Sequence, residues 1–166
     1  MAQITLKGNP VNTAGTLPPV GSKLPAFSLV KTDLSEITQA DFVGQSLVLN
    51  IFPSIDTPIC ALTVRSFNTM ASKAKGAKVL CISHDLPFAT ARFCGAEGLE
   101  DVVPASAFRN KEFGEAFGML MVDGPLRGLL ARSVIVANAQ GEVVYSQLVP
   151  EIAQEPDYDG ALQALS

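Results

Sequence analysis

The stretch Ser46-Leu-Val-Leu-Asn-Ile-Phe52-Pro53-Ser54-Ile55-Asp56-Thr57-Pro58-Ile59-Cys60 runs from an apolar segment through a proline-marked turn into a helix. SLVLNIF, residues 46–52, is nearly continuous in apolar residues, the mark of a strand buried on both faces. Thr57 can cap a helix, and Pro58 suits its first position. From there Cys60, Val64, Phe67, Ala71 and Ala74 fall at helical spacing, and Gly76 can end the helix. Lys78 to Ser83 (KVLCIS) repeats the apolar strand pattern. Strand, helix and strand in this order predict a crossover unit with two parallel neighbours.

The flanking segments extend the pattern. A second helix is expected after Ser83, with Asp85 as N-cap, Pro87 in the first turn and Gly95 just past the end. Val102 to Ala105 reads as a short strand and Lys111 to Phe117 as a short helix. Ser133 to Ala137 and Glu142 to Leu148 flank Asn138 to Gly141, a hairpin signal, and Tyr158 to Leu165 reads as a closing helix. Gln3 to Leu6 and Val11 to Ala14 flank Gly8-Asn9-Pro10 and read as an N-terminal β-hairpin. Leu17 to Pro25, rich in proline, reads as a loop. The order predicts an α/β chain with a central mixed β-sheet flanked by helices. No repeat, low-complexity tract or linker interrupts it, so residues 1–166 are read as a single domain.

Composition excludes several classes of function. Hydrophobic residues make up 48% and charged residues 17%, a globular balance that argues against disorder. A formal net charge of −4 offers no basic face to nucleic acid or to anionic lipid. No apolar run approaches the ~20 residues a membrane span needs. The opening MAQITLKGNPVNTAG lacks the pattern of a signal peptide, and a cytoplasmic location is expected.

Three cysteines, Cys60, Cys81 and Cys94, are too few for a secreted disulfide scaffold and include no CxxC pair. In a reducing compartment, disulfides are mostly transient and catalytic or redox-sensing. Cys60 falls in the first turn of its helix, where free N–H groups and the helix dipole favour a thiolate. A thiolate alone does not make a fast redox centre, because nucleophilicity falls with basicity. Fixed donors must also align the substrate and stabilise charge on its leaving group. Thr57 can place its hydroxyl beside the sulfur, and an arginine from elsewhere in the fold would supply several donors.

Pro53-x-x-x-Thr57-x-x-Cys60 matches the active-site motif of the peroxiredoxins. NIFPSIDTPIC, VLCISHDLPFATARFCGAEGL, FRNKEFGEAFG, DGPLRGLLARSVIV and EPDY extend the match over most of the chain, which resembles the bacterial thiol peroxidase branch of that family. The resemblance implies a thioredoxin-like fold, a homodimer, no cofactor or metal, and reduction of hydrogen peroxide and organic hydroperoxides with thioredoxin as reductant. It also implies an atypical two-cysteine cycle within one subunit. Cys60 aligns with the peroxidatic cysteine, Cys94 with the resolving cysteine, and Thr57 and Pro53 with the motif's threonine and proline. Arg132 aligns with the arginine that assists peroxide binding.

Other readings stand beside these. Cys81, mid-strand, reads as a buried inert thiol. His84, the lone histidine, would pair with Cys60 in a cysteine–histidine hydrolase, or else is an ordinary loop residue. A non-catalytic thioredoxin-like module sensing redox state is the third reading. Arg65 reads as a solvent or salt-bridge residue, and the residues alone leave all three cysteine pairings open. If Cys60 opens one helix and Cys94 closes the next, the nine residues Leu86 to Cys94 span about 13 Å. A disulfide needs Cα atoms within roughly 7 Å, so bridging these two thiols is expected to require local unwinding.

Overall fold

The computed structural model describes residues 1–74 and 76–165. β1 (Gln3–Leu6) and β2 (Asn9–Asn12) form a separate antiparallel hairpin. The main sheet has seven strands: β3 (Ser28–Lys31), β4 (Glu36–Thr38), β5 (Ser46–Ile51), β6 (Ala77–Ser83), β7 (Val103–Ser106), β8 (Ser133–Ala137) and β9 (Val143–Leu148). Their spatial order is β4-β3-β7-β6-β5-β8-β9. β5, β6 and β7 run parallel, whereas β3 and β8 join them antiparallel. The helices are α1 (Pro58–Ala71), α2 (Pro87–Glu97), α3 (Glu112–Ala116) and α4 (Tyr158–Gln163). The mixed sheet flanked by helices, and the N-terminal hairpin, are as the sequence predicts. No helix among the described residues is long and apolar enough to cross a membrane.

Side-chain alternation along β5 divides the core in two. Leu47, Leu49 and Ile51 enter one cluster with Leu80, Ile82, Ile135, Phe113 and Met119. Val48 enters the other with Val79, Cys81 and Val134, covered by Cys60, Val64, Phe67 and Met70 of α1 and by Ala161 of α4. Both faces of β5 are dry, which explains why its sequence reads as a continuous apolar run.

Several boundaries depart from expectation. β3 and β4 were not anticipated: they are four and three residues long and lie toward the sheet edge, where little apolar periodicity accumulates. Their turn is held by Asp33 Oδ1, which accepts from the Ser35 N–H at 3.0 Å and from its hydroxyl. Asp85 is not the N-cap of α2. Leu86 takes that position without a side-chain cap, and the Asp85 carboxylate turns back toward β5. Nor does α2 stop at Gly95. It continues to Glu97, because Gly98 supplies the left-handed φ of 66° that terminates it. Helix α3 is one residue shorter than expected at each end, and α4 ends two residues early.

The loop before Arg132 is fixed by a close backbone approach. Gly118 has φ +75°, and a Cβ there would overlap the Thr16 carbonyl. Two residues of that loop, Met119 and Ala131, are joined when the Ala131 N–H donates to the Met119 carbonyl at 2.8 Å. Gly141 in the β8–β9 turn has a similar φ of +78° but open space around it. Gly118→Ala and Gly141→Ala therefore share a conformational cost of about 1–2 kcal/mol. Denaturant unfolding is expected to show a clearly larger loss for Gly118→Ala, with the excess coming from the overlap with Thr16.

Candidate active site

Parallel pairing places the ends of β5, β6 and β7 along one edge of the sheet, the edge at which open α/β sheets carry their sites. From β5 the chain leaves through Phe52 and buried Pro53 into the Ser54–Asp56 turn, and α1 begins at Pro58. Thr57 is the N-cap by backbone conformation, with φ −102° and ψ 146°, but its hydroxyl makes no cap hydrogen bond. It donates instead to the Ser54 carbonyl at 3.0 Å. Cys60 is the third helical residue and is fully buried.

Arg132 arrives from the opposite direction. β8 is antiparallel to β5 with Ser133 opposite Ile51, so the residue before Ser133 lies level with the exit of β5. Its side chain is only 2% exposed. Nε donates to the Ile152 carbonyl at 2.9 Å, and Nη2 donates to Cys60 Sγ at 3.3 Å. Buried Nη1 has no acceptor among the described residues. Pro53, Thr57, Ile59, Leu129, Arg132 and Ile152 line a predominantly apolar recess of about 360 Å³ over this contact. The structure thus brings together Pro53, Thr57, Cys60 and Arg132.

The other two thiols differ from Cys60 and from each other, and all three are free. Burial pushes Cys81 up to about 12, against a weak opposing hydrogen bond from Asn50 Nδ2 at 3.6 Å. Burial also raises Cys94, which is half-buried on α2 outside the recess. Helix α2 is held on α1 by the exposed Arg65–Glu97 ion pair at 2.8 Å and by Arg65 stacked over Phe93, and on the turn before α1 by the exposed Arg92–Asp56 pair at 2.9 Å. Arg65 is the salt-bridge residue anticipated. His84 lines a different recess, with Phe108 and Lys111. Its Nδ1 contacts the Gly128 carbonyl at 2.9 Å, which assigns the proton to Nδ1. The pairing of His84 with Cys60 that a hydrolase requires is not formed. Among the described residues no cluster of three or more His, Cys, Asp or Glu side chains is placed to hold a metal.

Two carboxylates around the site had no distinctive signal in the sequence. Asp85 accepts from the Ile55 N–H, Ser54 hydroxyl and Ser83 hydroxyl at 2.7, 2.9 and 2.6 Å. Glu151 accepts from the Thr5 hydroxyl and the Lys7 and Gly8 N–H groups at 2.6, 2.9 and 3.2 Å. It thereby ties the N-terminal hairpin to the segment whose Ile152 carbonyl anchors Arg132. Only the serine-rich, proline-marked turns nearby hinted that buried donors would need an acceptor.

The relatives are consistent with each other. The Redoxin family profile matches residues 19–162. The thiol peroxidase of Mycobacterium tuberculosis (strain ATCC 25618 / H37Rv) is 60% identical over 165 residues, covering 99% of each chain. That of Corynebacterium glutamicum is 55% identical over 166 residues and the full length of both. Among solved structures, a peroxiredoxin-like protein from Aquifex aeolicus superposes with a TM-score of 0.92 at 38% identity, over 99% of this chain and 96% of the other.

The hydrogen bonds of Glu151 hold its carboxyl down at about 2, below an ordinary 4.5, with the Thr5 hydroxyl the largest cause and the Lys7 N–H next. A depressed carboxyl contributes stability that is complete above its unfolded value and lost as pH falls through the folded one. The anchoring of the hairpin should therefore weaken from about pH 4.5 down to about 2. Carboxyl-resolved NMR titration is expected to show a Glu151 midpoint near the lower value, with amide protection of Lys7 and Gly8 falling in step. A midpoint above 4 would contradict this.

Proposed function

The chain belongs to the redoxin family, among the thiol peroxidases of the peroxiredoxin type with a thioredoxin-like fold, and from that membership we propose that it reduces hydroperoxides through Cys60. The observation that carries this reading is the contact of buried Arg132 Nη2 with Cys60 Sγ at 3.3 Å. A guanidinium presents its donors in one plane. With Nη2 on the sulfur and Nη1 without a protein acceptor, an oxygen bound beside the sulfur would satisfy a buried donor that is costly to leave unmade.

The cycle is as follows. The Cys60 thiolate attacks one peroxide oxygen in line with the O–O bond. An S–O bond forms and the O–O bond breaks. Sulfur is oxidised by two electrons to sulfenic acid, and the second oxygen leaves as water or an alcohol after taking a proton. Arg132 donates to the oxygens as charge moves between them. Thr57, whose own hydrogen is committed to Ser54, keeps oxygen lone pairs with which to accept from the peroxide. Pro53, itself buried, lines the recess beside Thr57 and Arg132. Cys94 then attacks the sulfenic sulfur, an S–S bond forms, and hydroxide departs as water. A dithiol protein, thioredoxin by family resemblance, returns both thiols by exchange. The apolar walls of the recess favour organic hydroperoxides alongside hydrogen peroxide. A single domain over residues 1–166, a homodimer, a cytoplasmic location and a role in antioxidant defence complete the reading.

A coupled assay with thioredoxin, thioredoxin reductase and NADPH tests the whole cycle. Cys60→Ser is expected to abolish peroxide-dependent turnover, and Cys81→Ser to preserve it. Stable oxidation without turnover would instead favour a redox-sensing module.

In single-turnover oxidation of Cys60, Arg132→Met and Thr57→Val should each slow by about 100- to 1,000-fold, the usual effect of losing one preorganised group. Thr57→Ser should be milder. Wild-type rates in both would overturn the assigned roles.

For the Cys60–Cys94 disulfide form, hydrogen exchange should differ from the reduced form mainly over residues 56–64 and 86–98. Unchanged protection in both segments would mean that no unwinding accompanies the bridge.

A further inference from the structure

Asp85 bonds to the ends of β6 and β7 and to the turn that leads into α1. It follows β6 and immediately precedes the N-cap of α2, the helix that carries Cys94. On the β6 side, Oδ2 accepts from the Ser83 hydroxyl at 2.6 Å. The Asp85 carbonyl accepts from the hydroxyl of Ser106, the last residue of β7. These bonds fasten Asp85 to the rigid edge of the sheet. Toward α1, Oδ2 accepts from the Ile55 N–H at 2.7 Å and Oδ1 from the Ser54 hydroxyl at 2.9 Å.

Ser54 passes the constraint onward. Its hydroxyl oxygen accepts from the Asp56 N–H at 3.2 Å. Its carbonyl accepts from the Thr57 N–H at 3.2 Å and from the Thr57 hydroxyl at 3.0 Å. Thr57 is the N-cap of α1, and Cys60 follows in the first turn. Hydrogen bonds to a carboxylate are shorter and roughly twice as strong as those between neutral groups. Three converge on Asp85, and none of its bonds reaches Cys60 or Arg132.

We propose that Asp85 is a positioning residue that holds the Ser54–Thr57 turn, and through it the first turn of α1, in the arrangement that meets peroxide. The same bonds oppose opening of that turn, so Asp85 also sets how readily Cys60 leaves its pocket to meet Cys94. This rests on the assignment of Cys60 and Cys94 made above. It carries a signature that general loosening of the fold does not. Weakening Asp85 slows one chemical step and speeds the next. Attack on peroxide, which needs the assembled pocket, becomes slower. Condensation of the sulfenic acid with Cys94, which needs the turn to open, becomes faster.

The test is rapid-mixing kinetics on the full chain with hydrogen peroxide, with mass spectrometry of Cys60 as sulfenic acid, disulfide and sulfinic acid. Asp85→Asn keeps the shape and removes the charge, while Asp85→Ala removes the acceptors. Gly141→Ala, in the distant β8–β9 turn, serves as a destabilised control. Asp85→Asn is expected to slow Cys60 oxidation about tenfold, the equivalent of one charge-assisted hydrogen bond, and Asp85→Ala more. Both should accelerate disulfide formation several-fold and lower the sulfinic acid yield at a given peroxide concentration. Wild-type rates for both steps in both variants would overturn the proposal, as would slowing of both steps together. So would the same split of rates in Gly141→Ala. Failure of the wild type to oxidise at Cys60 would instead sink the assignment of Cys60 itself, which separates the two readings.

Discussion

A guanidinium with 2% exposure is the constraint on which the site depends. A buried cation is expensive unless its donors are met, and each of the three nitrogens of Arg132 tells what the fold offers it. Nε has the Ile152 carbonyl, and Nη2 has the Cys60 sulfur. Strand pairing decides that these partners are in reach. The antiparallel register of β8 on β5 brings Arg132 to the point where β5 delivers its chain to α1. The Val149 N–H donates to the Arg132 carbonyl at 3.0 Å, and the Ile152 N–H donates to the Thr5 carbonyl at 2.9 Å. The chain leaving β9 is thereby folded back over the arginine and pinned to the N-terminal hairpin. Glu151 sits in the middle of that strap. The hairpin, which looks like an appendage to the main sheet, is part of the support for one side chain.

The same geometry sorts the cysteines. Cys60 and Cys81 are both buried in the cluster between the sheet and α1, so burial does not distinguish them. Their neighbours do. Cys60 faces a guanidinium, whereas Cys81 lies mid-strand with only a long amide contact and is pushed up to about 12. Burial is the larger cause of that rise, and it makes Cys81 an unreactive neighbour within its own cluster.

The legible part of the molecule was the part in which local chemistry and global packing agree. β5, α1 and β6 have strong periodicity and clear punctuation, and their bounds were readable to within a residue or two except at the end of α1. β3 and β4 were not readable, because strands of three or four residues at an edge contain too few buried positions to form a pattern. Asp85 illustrates a different failure. An acidic residue two places before a proline is a reasonable N-cap, and local propensity favours it. Tertiary demand prevailed, since the Ser54–Ile55 turn contains donors that no neighbouring residue satisfies. Arg132 shows the limit most plainly. Nothing local sets it apart from the other arginines, and its place beside Cys60 follows from a strand register that sequence does not display. Only resemblance to a family singled it out.

The two helices that carry the proposed redox pair are built to different standards. Helix α1 buries Cys60, Ala61, Thr63, Val64, Phe67 and Met70, one residue or more in every turn. In α2 only Pro87 and Thr90 are buried, Phe88 is 65% exposed, and the contacts to α1 and the turn before it include two solvent-exposed ion pairs that salt would screen. A segment with so little buried apolar area belongs to the low end of local stability. That weakness matters for chemistry as well as for reach. Burial is what raises the Cys94 thiol, and a thiol attacks only in its ionised form. Opening α2 removes the cause of that shift at the moment it frees the side chain to travel. In the proposed cycle one local transition of α2 therefore serves both needs, ionisation of Cys94 and its travel to Cys60. A firmly packed α2 would oppose both.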